Sequence, residues 1–144
     1  MTLKERMNTD LKGQEMQEEY LHSELTEQII KAFYAVYNTL GYGFLEKVYE
    51  NAMYLELQSM GLQVVRQNPI TVSYQGQEVG QYFADLLVED SVIVELKAAE
   101  TICKEHEYQL INYLKATHIE VGLLLNFVTK PQVKRKVFTN SDLR

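Results

Sequence analysis

The chain has 144 residues, of which 46% are hydrophobic and 24% charged, and its formal net charge is −6. This composition is ordinary for one globular domain with a hydrophobic core, and the acidic balance argues against a protein that coats nucleic acid through bulk charge. No segment is long and apolar enough to cross a membrane, no apolar secretory segment stands at the N-terminus, and the single cysteine excludes an internal disulfide. We therefore predict a cytoplasmic protein.

The first half of the chain predicts two helices that follow a polar arm. Residues 1–20 carry mixed charge with weak periodicity and are predicted to form a flexible arm, whereas residues 21–144 are predicted to form a single domain. A helix is expected to begin near Ser23 and to end at Gly41, since apolar residues recur between them at helical spacing. A second helix should end at Gly61, and its predicted apolar side consists of Leu45, Val48, Ala52, Leu55 and Met60.

Beyond the second helix the hydrophobic period changes to that of β-strands. We predict a strand over residues 62–67, which Pro69 ends, and a separate strand over residues 70–74. The remaining predicted elements are strands over 79–88 and 91–98, a helix over 103–116, a buried strand over 120–127 and a last extended segment from residue 131. This order indicates an α/β fold with a mixed central β-sheet that is flanked by helices.

The most informative segment is the hairpin that the third and fourth predicted strands form. Residues 89–91 have the length and composition of a three-residue hairpin loop. If the ladder is centred on that loop, Asp85 lies opposite Glu95. Lys97 is two residues beyond Glu95 and therefore projects from the same face of the strand.

These three residues supply what metal-assisted hydrolysis of a phosphodiester requires. Two opposed carboxylates repel one another, and a divalent cation between them removes that repulsion. A lysine beside the cation can orient water and stabilise developing negative charge. The alternative is an exposed hairpin face with an ordinary Glu–Lys pair. The apolar sequence VIVELKA around Glu95 and Lys97 argues against that alternative, because apolar strands rarely hold charges without a role.

Further candidates lie on the two neighbouring helices. Glu46 stands early in the second helix, where a surface glutamate that favours the helix dipole is the alternative interpretation. Gln109 and Tyr113 are four residues apart and share a helix face with His106. Spacing alone favours a polar stripe with a half-buried tyrosine for Gln109 and Tyr113, and a surface or capping residue for His106.

One basic cluster interrupts the acidic composition. It lies near the C-terminus and consists of Lys130, Lys134, Arg135 and Lys136. Contact with phosphates and a merely solvated edge are both open interpretations of this cluster.

The segment GFLEKVY, residues 43–49, resembles the glycine-x-x-glutamate-x-x-tyrosine motif of the GxxExxY proteins. These proteins belong to the PD-(D/E)XK nuclease superfamily, whose fold is restriction-endonuclease-like. The resemblance extends over about residues 23–138 through three further ordered blocks, namely YFADLLVEDSVIVELKA, HEYQLINYLKAT and VGLLLNF.

The resemblance implies a role for each candidate residue. Asp85, Glu95 and the helix-borne Glu46 are implied as metal ligands, and Lys97 as the catalytic lysine. The residues implied in substrate binding are Gln109 and Tyr113, which match a QxxxY element, His106 just before them, and Tyr49 of the motif itself.

The predicted function is that of a nuclease dependent on Mg²⁺ or Mn²⁺ that hydrolyses phosphodiester bonds in a nucleic acid, DNA being the expected substrate. One alternative is a catalytically silent module with the same fold that binds nucleic acid or a protein partner. Another is a structural subunit of a homo-oligomer, to which the 10 tyrosines of the chain point.

Overall fold

The computed structural model describes residues 21–139, so the predicted arm at residues 1–20 lies outside the described part of the chain. The helices are α1 (Ser23–Leu40), α2 (Glu46–Ser59) and α3 (Lys104–Ala116), and the strands are β1 (Val64–Tyr74), β2 (Gln77–Val88), β3 (Val92–Lys97), β4 (Val121–Asn126) and β5 (Gln132–Val137). No helix among residues 21–139 is long and apolar enough to span a membrane.

The five strands form one sheet in the order β1-β2-β3-β4-β5. β3 and β4 are parallel, and the other neighbours are antiparallel. A parallel connection needs a crossover, and α3 provides it. Side chains of α1 and α2 form one hydrophobic core with the sheet, while side chains of α3 form a second core with it. The fold is therefore α/β with a mixed central sheet flanked by helices, as predicted.

The helix α3 packs unusually close to the sheet at Gly122 in β4. A Cβ atom at this position would lie 2.6 Å from Cδ1 of Leu110. The absence of a side chain at Gly122 therefore sets the depth at which α3 lies, and with it the position of the residues that α3 carries toward the site.

The prediction of two strands separated by Pro69 is wrong. β1 runs without a break from residue 64 to 74, and Pro69 pairs with Phe83 of β2. β1 is the first strand of the sheet, and an edge strand tolerates proline because the missing N–H can face away from the sheet. The sheet consequently has one strand fewer than predicted.

The predicted apolar side of the second helix is also largely wrong. Leu45 is 81% exposed and Leu55 67% exposed. The residues that α2 buries are instead Tyr49, Glu50, Met53 and Leu57. Both sets have helical spacing, and contacts with the rest of the core select between them. The chosen orientation turns one glutamate, Glu50, toward the interior.

Candidate active site

The hairpin of β2 and β3 has the predicted loop and register. Leu86, Leu87 and Val88 pair with Val94, Ile93 and Val92 respectively. Glu89 and Asp90 form the turn with left-handed φ values of 52° and 51°. This ladder ends at Leu86 and Val94, immediately before Asp85 and Glu95 would pair.

Hydrogen bonds that the two carboxylates accept from backbone N–H groups replace the backbone ladder beyond that point. The N–H of Leu96 donates to Oδ2 of Asp85 at 2.8 Å, and the N–H of Asp85 donates to Oε2 of Glu95 at 3.2 Å. Asp85 and Glu95 therefore lie side by side where β2 departs from β3. We call them the carboxylate pair.

Burial dominates the electrostatics of the carboxylate pair. Glu95 is 5% exposed. The pKa of Glu95 is raised to about 9, chiefly by burial and also by the side-chain hydrogen bond to Asp85 and the charge of Asp85, whereas the backbone hydrogen bond from Asp85 and the charge of Lys97 oppose the shift. Glu95 therefore retains its proton at neutral pH beside Asp85.

Lys97 follows Glu95 at the end of β3 and is partly buried. It projects from the same side of the strand as Glu95, and its charge acts on that residue. Its carbonyl accepts a hydrogen bond from the N–H of Phe127 at 2.8 Å. The backbone that carries Lys97 is thus held by the residue that follows β4.

Asn126 holds the segment that follows Lys97, a role that was not predicted from the sequence. Asn126 is fully buried and pairs with Lys97 in the ladder of β3 and β4. Its Oδ1 accepts from the N–H of Ala99 at 3.0 Å, and its Nδ2 donates to the carbonyl of Ala99 at 2.8 Å. The signal for this role in the sequence was a polar residue near the end of the apolar run VGLLL, because a buried polar side chain needs hydrogen-bond partners.

Two glutamates of α2 lie near Asp85 of the carboxylate pair. Glu46 is exposed and lines a cavity of about 180 Å³ with Lys47, Glu50, Gln67 and Asp85. The structure therefore places Glu46 near Asp85, as the prediction requires, and adds a second acid one turn later.

Glu50 is that second acid, and it is 3% exposed. It accepts from Nζ of Lys47 at 2.6 Å and from the side-chain amide of Gln67. The same amide nitrogen lies 3.5 Å from Oδ1 of Asp85. Glu50 and Gln67 thus link α2 and β1 to the carboxylate pair, and neither was identified from the sequence, because both depend on the burial of an unexpected face of α2.

On the opposite layer, Tyr113 of α3 lies beside the carboxylate pair. It is 6% exposed. Burial, together with the charges of Glu95 and Asp85 and the nearby Tyr82, raises the pKa of Tyr113 to about 12. The hydroxyl of Tyr113 therefore stays protonated and can donate a hydrogen bond. Gln109 lies one turn before it, and both side chains line the same groove.

The two other residues implied in substrate binding have structural partners. Nδ1 of His106 accepts from the N–H of Cys103 at 3.4 Å and so caps α3; its contact with substrate stays a prediction. Tyr49 has no exposed surface, stacks on Phe127 at 4.0 Å and donates from its hydroxyl to the carbonyl of Gly41 at 2.8 Å. A side chain so placed orders the loop before α2, and the assignment of Tyr49 to substrate contact stays a prediction.

Two members of the basic cluster are engaged within the fold. Lys136 pairs with Glu107 at 2.7 Å, and Arg135 donates to the carbonyl of Leu21 at 2.7 Å. These contacts favour the interpretation of the cluster as a structural edge of the sheet.

The donors of the carboxylate pair fit a hard divalent cation. Within residues 21–139, no group of three or more His, Cys, Asp or Glu side chains is arranged to hold a metal ion. Mg²⁺, however, is commonly held by one or two carboxylates with water in the remaining positions. Asp85 and Glu95 offer two such carboxylates side by side.

Comparison with known proteins identifies the family of this chain. The family profile of the PD-(D/E)XK nuclease superfamily matches residues 23–136. The chain belongs to the PD-(D/E)XK nuclease superfamily. Members of this superfamily are generally nucleases and typically use divalent metals. The narrower resemblance to the GxxExxY proteins stays a prediction.

A solved structure of similar fold supports the architecture of this PD-(D/E)XK chain. The crystal structure of SSO0001 superposes with a TM-score of 0.53 at 18% sequence identity. The match covers 84% of this chain and 60% of that chain. At this identity the likeness shows the fold alone. No curated protein matches the chain.

Proposed function

We propose that this protein is a nuclease that hydrolyses phosphodiester bonds in DNA with Mg²⁺ or Mn²⁺ bound at the carboxylate pair. The observation that carries the proposal is the buried Glu95, which lies beside Asp85 and Lys97 in a chain of the PD-(D/E)XK superfamily. Burying one carboxyl group beside a second acid is unfavourable for folding, and a cation site gives that arrangement a purpose.

Asp85 and Glu95 would hold the cation, with Glu46 as the predicted third acid. When bound, a divalent cation supplies Lewis acidity toward the phosphate and lowers the pKa of a coordinated water. Asp85 is oriented for this role by the N–H of Leu96 and the amide of Gln67. Glu95 would release its proton on binding the cation.

The remaining residues act on the substrate. Lys97 places a positive charge on the same side as Glu95 and would steady the phosphate or orient the attacking water. Tyr113 keeps one wall of the site dry and offers a hydroxyl proton to a phosphate oxygen or to Asp85. Gln109 extends the same wall by one helical turn.

A cleavage assay on the purified chain tests the proposal. Single-stranded, duplex and branched DNA and RNA are each incubated with Mg²⁺, with Mn²⁺ and with a chelator. We expect metal-dependent cleavage that Glu95→Gln reduces by roughly a hundredfold or more, the scale of losing one preorganised electrostatic group. The matched control is Glu78→Gln, because Glu78 is an exposed glutamate of β2, the strand that carries Asp85. Cleavage by Glu95→Gln at the wild-type rate contradicts the proposal.

The rival function is a catalytically silent module that binds nucleic acid or a protein partner. The observation in its favour is that the described residues hold no cluster of three metal-ligating side chains. Nucleic-acid binding without cleavage under any of the metal conditions, in wild type and Glu95→Gln alike, would establish this rival.

A further inference from the structure

A groove of about 840 Å³ lies between α3 and the outer part of the β1–β2 hairpin. β1 and β2 have 11 and 12 residues, whereas β3 has six. The hairpin therefore projects beyond the strand it pairs with, and α3 faces its projecting half across open space. This open space lies outside the two hydrophobic cores.

Two large aromatic side chains of the groove are turned toward solvent. Tyr82 on β2 is 48% exposed and Tyr108 on α3 is 58% exposed. Gln109 and Asn112 lie along the same helix wall and offer amide groups for hydrogen bonds. Exposed rings flanked by amides suit a ligand that has flat faces and polar edges.

The charge of the groove differs from that of the whole chain. Its lining contains one acid, Glu105, and one base, Lys115, while the chain as a whole carries a net charge of −6. The lining of the groove is therefore close to neutral and does not repel a polyanion, although the protein as a whole is acidic.

One wall residue of the groove, Tyr113, also lies close to the carboxylate pair. Tyr113 lines the groove, and its ring centroid is 5.7 Å from that of Tyr82. The same tyrosine experiences the charges of both Glu95 and Asp85. A nucleic-acid strand bound on Tyr108 and Tyr82 therefore lies next to Tyr113, the side chain that the groove shares with the surroundings of the carboxylate pair.

We propose that this groove binds an unpaired nucleic-acid strand, with successive bases stacked on Tyr82 and Tyr108 and a phosphate presented to the carboxylate pair. The proposal rests on the proposed nuclease function and specifies its substrate as single-stranded. In a duplex the base faces are covered by their neighbours, so exposed tyrosines can stack only on an unpaired strand or an end. Aromatic stacking of this kind tolerates any base sequence.

Equilibrium binding in chelator separates this proposal from catalysis. The probe is a fluorescein-labelled oligothymidylate of roughly a dozen nucleotides, a length within the range of single-strand sites, measured alone and annealed to its complement. We expect the single strand to bind more tightly than the duplex. Tyr82→Ala and Tyr108→Ala should each weaken single-strand binding about tenfold, since each removes one stacking platform.

Matched variants distinguish stacking from a loss of fold. Tyr82→Phe keeps the ring and should bind like wild type, whereas Tyr82→Leu keeps apolar bulk without the ring and should bind weakly. Tyr42→Ala removes a tyrosine that is 59% exposed but does not line the groove, and should leave binding unchanged. Duplex binding as tight as single-strand binding, or wild-type affinity in Tyr82→Leu and Tyr108→Ala, overturns the proposal.

The two proposals fail in different ways. Tyrosine-dependent binding of single strands without metal-dependent cleavage would remove the nuclease function and leave the groove assignment in place. Glu95-dependent cleavage that Tyr82→Ala and Tyr108→Ala do not slow would remove the groove assignment alone.

Discussion

Glu95→Gln is expected to stabilise the metal-free protein near neutral pH. In the folded protein Glu95 is buried and its pKa is raised to about 9, whereas in the unfolded chain it ionises with the ordinary pKa of a glutamate. Glutamine reproduces the protonated side chain, because its carbonyl can accept from the N–H of Asp85 and its amide can donate to the Asp85 carboxylate. The substitution therefore keeps the bonds and removes the cost of protonation or desolvation.

The magnitude follows from the pKa shift. At pH 7 the unfolded glutamate is ionised, since pH 7 lies about two and a half units above the pKa of 4.5 that is usual for glutamate. At about 1.4 kcal/mol per unit, Glu95 lowers the free energy of unfolding by about 3 kcal/mol. Because the folded pKa is raised, the unfolded state binds fewer protons over this interval, and stability falls as pH rises from about 4.5 to about 9. Below this window the wild type and Glu95→Gln should be equally stable.

Urea denaturation in chelator measures this difference. The free energy of unfolding of wild type, Glu95→Gln and the exposed control Glu78→Gln is compared at pH values near 4.5, 7 and 9. The gap between wild type and Glu95→Gln should widen with pH, and the control should track wild type. If Glu95→Gln is equally or less stable than wild type at neutral pH, Glu95 is an ordinary surface partner of Lys97 and the buried-acid reasoning is refuted.

Three other substitutions examine separate parts of the structure. Lys97→Ala should bind Mn²⁺ like wild type in calorimetry but lose cleavage by roughly a hundredfold. The positively charged side chain of lysine is not a metal ligand, and its charge acts on the substrate. A loss of Mn²⁺ binding as large as the loss of cleavage would contradict this role. Asn126→Ala leaves the N–H and carbonyl of Ala99 without their partner. It should lower the free energy of unfolding, measured by urea denaturation, by about 1–3 kcal/mol, and it should also slow cleavage. Gly122→Ala forces a methyl group against Leu110. It should lower the free energy of unfolding by about 1–3 kcal/mol and therefore lower the melting temperature. An unchanged melting curve would show that α3 can shift freely.

The hairpin could be predicted because its determinants are local. A three-residue loop and the alternation of apolar residues on both sides set the register, and the observed pairing of Leu86 with Val94 is the predicted one. Once the register is known, the proximity of Asp85, Glu95 and Lys97 follows from the pleat alone. The end of the ladder at Asp85 does not follow, because it requires the carboxylate to take over the N–H of Leu96.

The surroundings of the hairpin depend on contacts between distant segments. Which stripe of α2 is buried is decided by the partners of Tyr49 and Met53 in the core, so the burial of Glu50 had no local signal. Pro69 was expected to end a strand because its place at the edge of the sheet cannot be seen from the segment itself. Gln67 reaches Asp85 from a left-handed backbone with φ 50°, a conformation that a glutamine rarely adopts.

The metal-binding role of Asp85 and Glu95 is tested most directly by calorimetric titration of Mn²⁺ into the wild-type protein at pH 7, in buffers with different ionisation enthalpies. Because Glu95 holds its proton with a pKa of about 9 and must lose it to bind a cation, binding should release about one proton per site. Glu95→Gln should bind at least about tenfold more weakly and release none. Binding with the same heat in every buffer, or no binding by the wild type, would contradict a cation site at the carboxylate pair.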